Sequence, residues 1–287
     1  NADIDGAVTS IAVLSVSGTS NIGADITTSG TQTYTGAVTL SANVTLTSSG
    51  DVITFSNTVN SADSTNRDLT VTTGGDTVHI NFDGIVGQSK GLGAIAITGV
   101  LDLNAAIADA NSLTVSGVSL LDADVTTSGN QTYSGAITLG TAARTLAGST
   151  IQTVAVNGAQ NLTITGNLDL NGAITQVAVF AVSGTTDLGA NVTTTGTQTY
   201  SGAVTISGST VTRTLTTSAD TITFSNTLNS SASAGNHLIF GSNTGTVTFT
   251  GAVGGATNGT LGTITNIASQ TLIFSDAVTA TTIANYG

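Results

Sequence analysis

Apolar and polar residues alternate in short runs along the whole chain. In stretches such as Gln32-Thr33-Tyr34 and Ala37-Val38-Thr39-Leu40, Thr, Ser or Asn separates larger side chains. Alternation with a period of two is typical of a β-strand that buries one face. Glu is absent and only four residues are Lys or Arg, so the chain lacks the residues that cover the solvent face of an amphipathic helix. The pattern predicts an all-β protein.

A five-residue box recurs where two such runs meet. It reads large apolar residue, small polar residue, Gly or Asn, Ala or Thr, and aliphatic residue. Eleven boxes follow one another at unequal intervals, which average roughly 27 residues. Their first positions hold eight of the 11 aromatic residues and are Ile4, Tyr34, Phe55, Phe82, Leu103, Tyr133, Leu170, Tyr200, Phe224, Phe249 and Phe274. Three short strands and three turns per interval predict 10–11 rungs of roughly 27 residues in a parallel β-solenoid.

The third position of the box predicts a sharp corner. Gly occupies it in seven boxes, and Asn57, Asn226 and Asp276 replace Gly in three others. These residue types tolerate a left-handed backbone. Successive rungs of a solenoid hydrogen-bond in parallel about 4.8 Å apart. We therefore expect the aromatic residues of successive boxes to stack inside, Tyr34 on Phe55 and Phe224 on Phe249.

A longer repeat divides the chain into modules. Residues 15–40, 114–139 and 181–206 are nearly the same sequence. We interpret residues 1–287 as a single continuous solenoid with modules at approximately 1–100, 101–166 and 167–270 and the start of a fourth at 271–287. The polar segments 61–67, 87–91 and 230–236 are interpreted as loops that bulge from one corner. The 99-residue spacing of Tyr34 and Tyr133 also suits immunoglobulin-like sandwiches, but the 67-residue module and the shorter sub-repeat favour the solenoid.

Charge and composition narrow the functional classes. The net charge of −12 disfavours binding to nucleic acid, which needs a basic surface. No apolar run approaches the roughly 18–20 residues of a membrane-spanning helix, so membrane insertion is not expected. The chain has no Cys, which excludes disulfides and thiolate metal sites.

The motif VTTTGTQTYSGAVTI at 192–206, with copies at 26–40 and 125–139, resembles repeats of large secreted bacterial proteins of the filamentous-haemagglutinin type. The resemblance covers nearly the whole chain, and it lies in the type of repeat and not in a motif specific to one protein. It implies a right-handed parallel β-helix, export by a two-partner or autotransporter route, and a role in adhesion, biofilm or a surface coat. That family has no catalytic residues to carry over. The secretion-signal domain usual at the N-terminus of such proteins is not evident here.

Acidic residues are the main candidates for chemistry. The nearest neighbours in sequence are Asp3/Asp5, Asp63/Asp68, Asp102/Asp109 and Asp122/Asp124. Asp3 and Asp5 recur later as Asp169 and Asn171, so the second position loses its charge within the array itself. This favours turns and solvated faces over paired catalytic acids. We therefore predict no catalytic, cofactor-binding or metal-binding residues and expect an extracellular structural or adhesive shaft. The alternative is a carbohydrate-binding or carbohydrate-cleaving fibre similar to phage tail spikes.

Three further patterns are weaker indications of a ligand, namely calcium, another metal ion or ice. Gly74-Gly75-Asp76 followed by Asp83 resembles calcium-binding nonapeptide repeats, but it occurs once and those repeats come in tandem. His79 and His237 have no metal-ligand partner nearby in sequence and are interpreted as an outward polar residue and a residue beside a loop.

The third pattern is the Thr-x-Thr pair, which resembles the ladders of ice-binding proteins. The pairs are Thr31/Thr33, Thr45/Thr47 and Thr197/Thr199. An ice-binding face needs such pairs on every rung, whereas the corresponding strand at Ile53-Thr54-Phe55 has a single Thr.

The first and last boxes indicate how the solenoid would associate with further strands. The rungs near Ile4 and Phe274 would expose unpaired backbone groups, which template a further strand. We expect either continuation in a longer chain or head-to-tail stacking of copies into a filament. Host or matrix glycans are the other partners expected of an adhesive shaft.

Overall fold

The computed structural model describes residues 1–75, 77–232, 235–241, 244–255, 259–267 and 270–286. All regular elements among these residues are β-strands, and every strand pair with an assigned register is parallel. The 36 strands are β1 (Ala2–Ile4), β2 (Val8–Ile11), β3 (Leu14–Val16), β4 (Ser20–Ile22), β5 (Ile26–Thr28), β6 (Gln32–Tyr34), β7 (Val38–Leu40), β8 (Val44–Ser48), β9 (Ile53–Phe55), β10 (Val59–Ser61), β11 (Arg67–Thr72), β12 (His79–Phe82), β13 (Leu92–Thr98), β14 (Val100–Leu103), β15 (Ile107–Val115), β16 (Ser119–Leu121), β17 (Val125–Thr127), β18 (Gln131–Tyr133), β19 (Ile137–Leu139), β20 (Arg144–Thr153), β21 (Val156–Asn157), β22 (Leu162–Leu170), β23 (Ile174–Val177), β24 (Phe180–Val182), β25 (Thr186–Leu188), β26 (Val192–Thr194), β27 (Gln198–Tyr200), β28 (Val204–Ile206), β29 (Thr212–Thr216), β30 (Ile222–Phe224), β31 (Leu228–Ser230), β32 (His237–Phe240), β33 (Val247–Phe249), β34 (Leu261–Asn266), β35 (Leu272–Phe274) and β36 (Ala280–Asn285).

The strands form two compact units, each of them a parallel β-solenoid. Unit 1 comprises residues 1–140 and 144–149, and unit 2 comprises residues 141–143 and 150–287. In unit 1 the first strands begin every six residues, and each pairs with the strand three places later, as β1 does with β4 and β4 with β7. In unit 2 the same relation joins β22 to β25 and β25 to β28. One coil therefore has three faces, and the predicted β-solenoid is confirmed.

The coil is shorter than the sequence predicts. Asp3 pairs with Asn21, a separation of 18 residues, whereas inserted loops lengthen the coil between Thr54 and Asn81 to 27 residues. The chain makes about 14 turns of about 19 residues, so the expected 10–11 rungs of roughly 27 residues are wrong. The reason is that the interval from the first box to the second spans one complete coil and two further faces. Ile4 accordingly pairs with Ile22 and not with Tyr34.

Stacked aromatic rings fill part of each core, as expected from the boxes that are one coil apart. In unit 1 the ring centroids of Tyr34 and Phe55 lie 5.3 Å apart and those of Phe55 and Phe82 lie 4.9 Å apart. In unit 2 the distances along the ladder Tyr200–Phe224–Phe249–Phe274 are 5.1, 5.0 and 4.7 Å. The interplanar angles are 1–10°, so these rings lie flat on one another.

Tyr133 does not belong to an aromatic ladder. Its strand β18 pairs with the end of β15, which places Tyr133 beside Val115. Tyr34, by contrast, lies on the face formed by β3, β6, β9 and β12. The repeated module therefore places its tyrosine on different faces of unit 1, because module spacing and coil length are not multiples of one another.

Six of the seven corner glycines, all but Gly6, are required by close approach of the backbone and not by a left-handed conformation. Positive φ angles are absent at the box glycines such as Gly36 and Gly202. A Cβ atom on Gly202 would lie 2.2 Å from the carbonyl oxygen of Gly184, one coil earlier, and a Cβ on Gly36 would lie 2.4 Å from that of Gly18. The left-handed corner predicted from the sequence is therefore wrong, although the need for Gly is real.

The polar segments connect strands as loops. Segments 61–67 and 87–91 both lead from the face that contains Val59 and Val86 to the face formed by β11 and β13, so they share a corner of unit 1. Segment 230–236 joins β31 to β32 in unit 2, and residues 233–234 lie outside the described residues.

Candidate functional site

Acidic and amide side chains at the corners bond one coil to the next. The Oδ1 atoms of Asp25, Asp124 and Asn191 accept hydrogen bonds from the backbone N–H groups of Thr45, Thr145 and Thr214, at 2.7, 2.8 and 2.8 Å. The three acceptors occupy the same position of the repeated module. Since the amide oxygen of Asn191 accepts the same hydrogen bond as the two carboxylates, the position needs an acceptor oxygen and not a negative charge.

The sequence-adjacent carboxylates are engaged by different groups. Asp3 accepts from the Asn21 amide at 2.8 Å, and Asp122 lies 3.7 Å from the Arg144 guanidinium. Asp68 Oδ1 accepts from the backbone N–H of Ala94 at 2.7 Å. None of these contacts couples the two members of a pair such as Asp122/Asp124.

Asp63 is an exposed carboxylate held by its own loop. The backbone N–H of Thr65 donates to it at 2.7 Å, and the Arg67 guanidinium lies 3.2 Å away. The Thr65 hydrogen bond is the main cause that lowers the pKa of the Asp63 carboxyl, with Arg67 adding to the effect. Asp63 therefore stays ionised and organises the segment 61–67.

The two histidines have different environments. His79 lies on the outer surface of β12, with Nδ1 3.5 Å from the Asp102 carboxylate on β14, a contact between neighbouring coils that the sequence did not reveal. His237 accepts a hydrogen bond at Nδ1 from the backbone N–H of Thr263 at 2.8 Å, so that nitrogen carries no proton. In the described part of the chain, neither imidazole belongs to a group of three possible metal-ligating side chains.

The calcium-like segment is only partly described. Asp76 lies outside the described residues. Asp83 accepts from the Asn104 amide at 2.8 Å, and Gly74 lies against the preceding coil, since a Cβ there would be 2.2 Å from the Ser49 carbonyl oxygen. Across the described part of the chain, no three His, Asp or other acidic or thiol side chains gather as a metal site would require.

A buried polar cassette recurs three times and was missed in the sequence. Gln198 is fully buried, and its Nε2 donates to Thr194 Oγ1 at 3.3 Å and to the Thr216 carbonyl oxygen at 2.9 Å. Its Oε1 accepts from the Tyr200 hydroxyl at 3.1 Å, and Thr194 in turn donates to the Gly196 carbonyl oxygen at 2.6 Å. The same network joins Thr28, Gln32 and Tyr34, and Thr127, Gln131 and Tyr133.

The cassette satisfies polar groups that would otherwise be unpaired inside the solenoid. The Gln side chain links its own turn to the backbone of the following coil, and it holds the tyrosine hydroxyl in the core. Burial raises the pKa of the Tyr34, Tyr133 and Tyr200 phenols well above their ordinary value. The spacing Thr-x-Gly-x-Gln-x-Tyr recurs in all three modules and was the signal, because the outward residues between these positions vary more among the copies.

A shallow groove of about 430 Å³ lies beside β2 and β5. Hydroxyl-bearing residues dominate its lining, including Ser10, Thr27, Ser29 and Ser49. Ser10 has a φ of 63°, in a strand pair whose register shifts between Val8 and Ile11. The groove offers hydrogen bonds but no titratable side chain, so its lining supplies no acid or base for catalysis.

Among the described residues there is no helix of the length and apolarity that a membrane crossing needs. Comparison of the chain with protein-family models, with curated proteins and with solved structures found no match. The resemblance to filamentous-haemagglutinin-type repeats and the right-handed turn that it implies therefore stay predictions, while the parallel β-solenoid stands on the structure.

Proposed function

We propose that the chain is a section of a structural or adhesive shaft, without catalytic activity, outside a bacterial cell. The observation that carries the proposal is the repeated use of polar side chains to join coil to coil. The corner acceptors at positions 25, 124 and 191 and the three buried cassettes occur in the same form in successive modules. Repetition of this kind suits a mechanical element, whereas catalysis needs one differentiated site.

Parallel pairing supports a role in bearing force. Within each unit, strands of one coil pair with strands of the coil before it and the coil after it, as β28 does with β25 and β31. A coil leaves the stack only when these backbone bonds and its layer of the apolar core are lost together. Stability is then the sum of similar neighbour interactions, and the loss of one coil need not unfold the rest.

Self-association and glycan binding belong to the same proposal. A parallel β-solenoid grows by the addition of coils. We propose that this section of shaft continues in a longer chain or stacks head to tail on a second copy. Glycans of a host or matrix are the adhesion targets that we propose, with neither nucleic acid nor a membrane as a partner.

Single-molecule stretching tests the proposal. A chain pulled by its two ends should unravel in steps that match whole coils, each releasing about 60 Å for about 18 residues at roughly 3.3–3.6 Å per residue. Unfolding of the entire chain in one step at low force would contradict the role of a shaft.

The carbohydrate-cleaving alternative is tested with the purified chain. Incubation with neutral and acidic polysaccharides should release no new reducing ends. Reproducible depolymerisation that is abolished by Asp102→Asn, but kept by Asp124→Asn at the corner, would replace the shaft with a tail-spike-like enzyme.

A further inference from the structure

Nine hydroxyl-bearing residues form a regular grid on one face of unit 2. The rows lie along β27, β30 and β33 and the residues flanking these strands, and they are Thr197, Thr199 and Ser201; Thr221, Thr223 and Ser225; and Thr246, Thr248 and Thr250. Thr199, Thr223 and Thr248 are direct partners in the parallel pairing. Backbone bonds flanking the strands keep the rows in register, such as Ser225 N–H to the Tyr200 carbonyl oxygen at 2.9 Å.

The grid is regular because the core beneath it is regular. Tyr200, Phe224 and Phe249 stack directly below it at 5.1 and 5.0 Å, with interplanar angles of 9° and 1°. These residues alternate with the central Thr of each row, so the outer surface takes its spacing from the ladder. Thr is also β-branched, which restricts its χ1 and orders its hydroxyl and methyl groups.

The hydroxyl groups of the grid are free to bind something outside the protein. None of the nine side-chain hydroxyls has a hydrogen-bond partner among the described residues, whereas neighbouring inward hydroxyls such as those of Thr194 and Thr217 donate to backbone carbonyl groups. All nine residues are half-buried or exposed. The grid itself carries no charge in a chain of net charge −12, and the nearest carboxylate along its rows is Asp220, beside Thr221.

These properties fit an uncharged lattice better than a protein partner. Protein interfaces are anchored by buried aromatic residues or Arg, and the grid presents neither. Dry stacking of a second sheet requires interdigitating side chains of apolar or amide type. What remains is a surface of evenly spaced hydroxyl and methyl groups, which suits water molecules in a fixed array.

The spacing of the grid can be compared with that of ice. Rows lie about 4.8 Å apart, and alternate residues of a strand lie about 6.7 Å apart. In a tetrahedral lattice with oxygen–oxygen hydrogen bonds of about 2.75 Å, second neighbours are about 4.5 Å apart and the repeat along the hexagonal axis is about 7.3 Å. Measured from the central Thr223, the mismatch is about 0.3 Å to the next row and about 0.6 Å to the next column. Side-chain and hydrogen-bond adjustment accommodates offsets of this size over three rows.

We propose that the hydroxyl grid of unit 2 binds the surface of ice. This binding activity goes beyond the proposed shaft and does not depend on it. Unit 1 contains a smaller array, in which Thr45 pairs with Thr70 and Thr47 with Thr72 before Ala96 interrupts the first column. The sequence showed only one pair of the grid, Thr197/Thr199, because the other rows are distant in the chain and become its neighbours only through the pairing of β27, β30 and β33.

Ice recrystallisation in the presence of the full chain tests the proposal. The test variant is Thr223→Lys, which places a long charged side chain at the centre of the grid. The matched control is Thr205→Lys, in the middle of β28 on another face, where the partners of Thr205 are Asp187 and Asn229. Thr248→Lys serves as a second grid variant, and circular dichroism and the unfolding temperature establish that each variant is folded.

The unmodified chain should keep ice grains small and should become enriched in a slowly growing ice crystal. Thr223→Lys and Thr248→Lys should each need about tenfold more protein for the same effect, which corresponds to about 1.4 kcal/mol of binding free energy. Thr205→Lys should match the unmodified chain. Absence of any effect of the unmodified chain on ice, or equal activity of the grid variants and the control, would overturn the proposal. Binding to crystalline cellulose or chitin but not to ice, lost in Thr223→Lys, would overturn it in favour of a polysaccharide lattice.

Discussion

Replacement of Gln198 by Leu removes the centre of a buried polar cassette. The fully buried amide satisfies the Tyr200 hydroxyl at 3.1 Å and the Thr216 carbonyl oxygen at 2.9 Å. A buried polar group that loses its partner costs about 1–3 kcal/mol. Gln198→Leu leaves two such groups, so the free energy of opening of the surrounding coils should fall by about 2–6 kcal/mol.

The variant Tyr200→Phe, alone and combined with Gln198→Leu, measures the energetic coupling between the two side chains. It leaves the Oε1 atom of Gln198 without its donor and should cost about 1–3 kcal/mol. In the double variant both polar partners of that bond are gone, so no hydroxyl or amide oxygen is stranded by its loss. The double variant should therefore be less destabilised than the sum of the single variants by the cost of two stranded groups, about 2–6 kcal/mol.

Hydrogen exchange of backbone amides is the suitable assay, because a stack of similar coils need not unfold in a single transition. Exchange protection in β26–β30 reports the local opening free energy. The control is Tyr286→Phe, since the side chain of Tyr286 is 75% exposed and protection should not change. Additive effects of the two cassette variants within about 0.5 kcal/mol would refute the hydrogen-bonded arrangement.

Three other predictions follow from the core and the corners. Phe224→Ala opens a cavity between two stacked rings and should cost about 3–5 kcal/mol. Hydrogen exchange should show that the loss of protection is confined to the neighbouring coils. Thr186→Val removes a buried hydroxyl that has no hydrogen-bond partner among the described residues, so the unfolding temperature should rise. A fall would contradict the absence of a partner for that hydroxyl. Asp124→Asn keeps the acceptor for Thr145 and should leave the unfolding temperature unchanged, whereas Asp124→Ala should lower it.

Alkaline pH should weaken the fold through the three buried tyrosines. Burial raises their pKa in the folded chain, so their contribution to stability is complete below the ordinary tyrosine pKa of about 10 and is lost as pH rises above it. The tyrosinate absorbance of these three residues should then rise as the β-sheet circular dichroism is lost. Ionisation of all the tyrosines at about pH 10 with the β-sheet signal intact would show that they are not buried.

The fold class was predictable because alternation and the boxes are local properties of the sequence. Tyr34 on Phe55 and Phe224 on Phe249 were predicted correctly, since those boxes are one coil apart. The coil length was not, because all three faces show the same alternation and a period of two does not reveal which face a strand joins. Leu170 illustrates this, as it pairs with Leu188 and not with Tyr200, the first position of the next box.

The buried cassettes and the hydroxyl grid were hidden for physical reasons. Gln is polar and was assigned no inward role, although Gln198 is fully buried and takes part in four hydrogen bonds inside the solenoid. The pairing of His79 with Asp102 depends on a strand register that is set by loop length. The hydroxyl grid and the His79–Asp102 contact follow from which coils become neighbours, and single-sequence patterns do not contain that information.

Disulfide trapping tests the central claim, the short three-faced coil. The chain has no Cys, so an introduced pair is the only thiol pair present. Asp169 and Asp187 are direct partners in the parallel pairing of β22 and β25, and neighbouring coils lie about 4.8 Å apart, within the Cα separation that a disulfide spans. Asp169→Cys with Asp187→Cys should therefore oxidise readily in the folded chain, whereas Asp169→Cys with Thr199→Cys, the pair that stacking of successive boxes would bring together, should not. Rapid oxidation of the second pair and failure of the first would contradict the account.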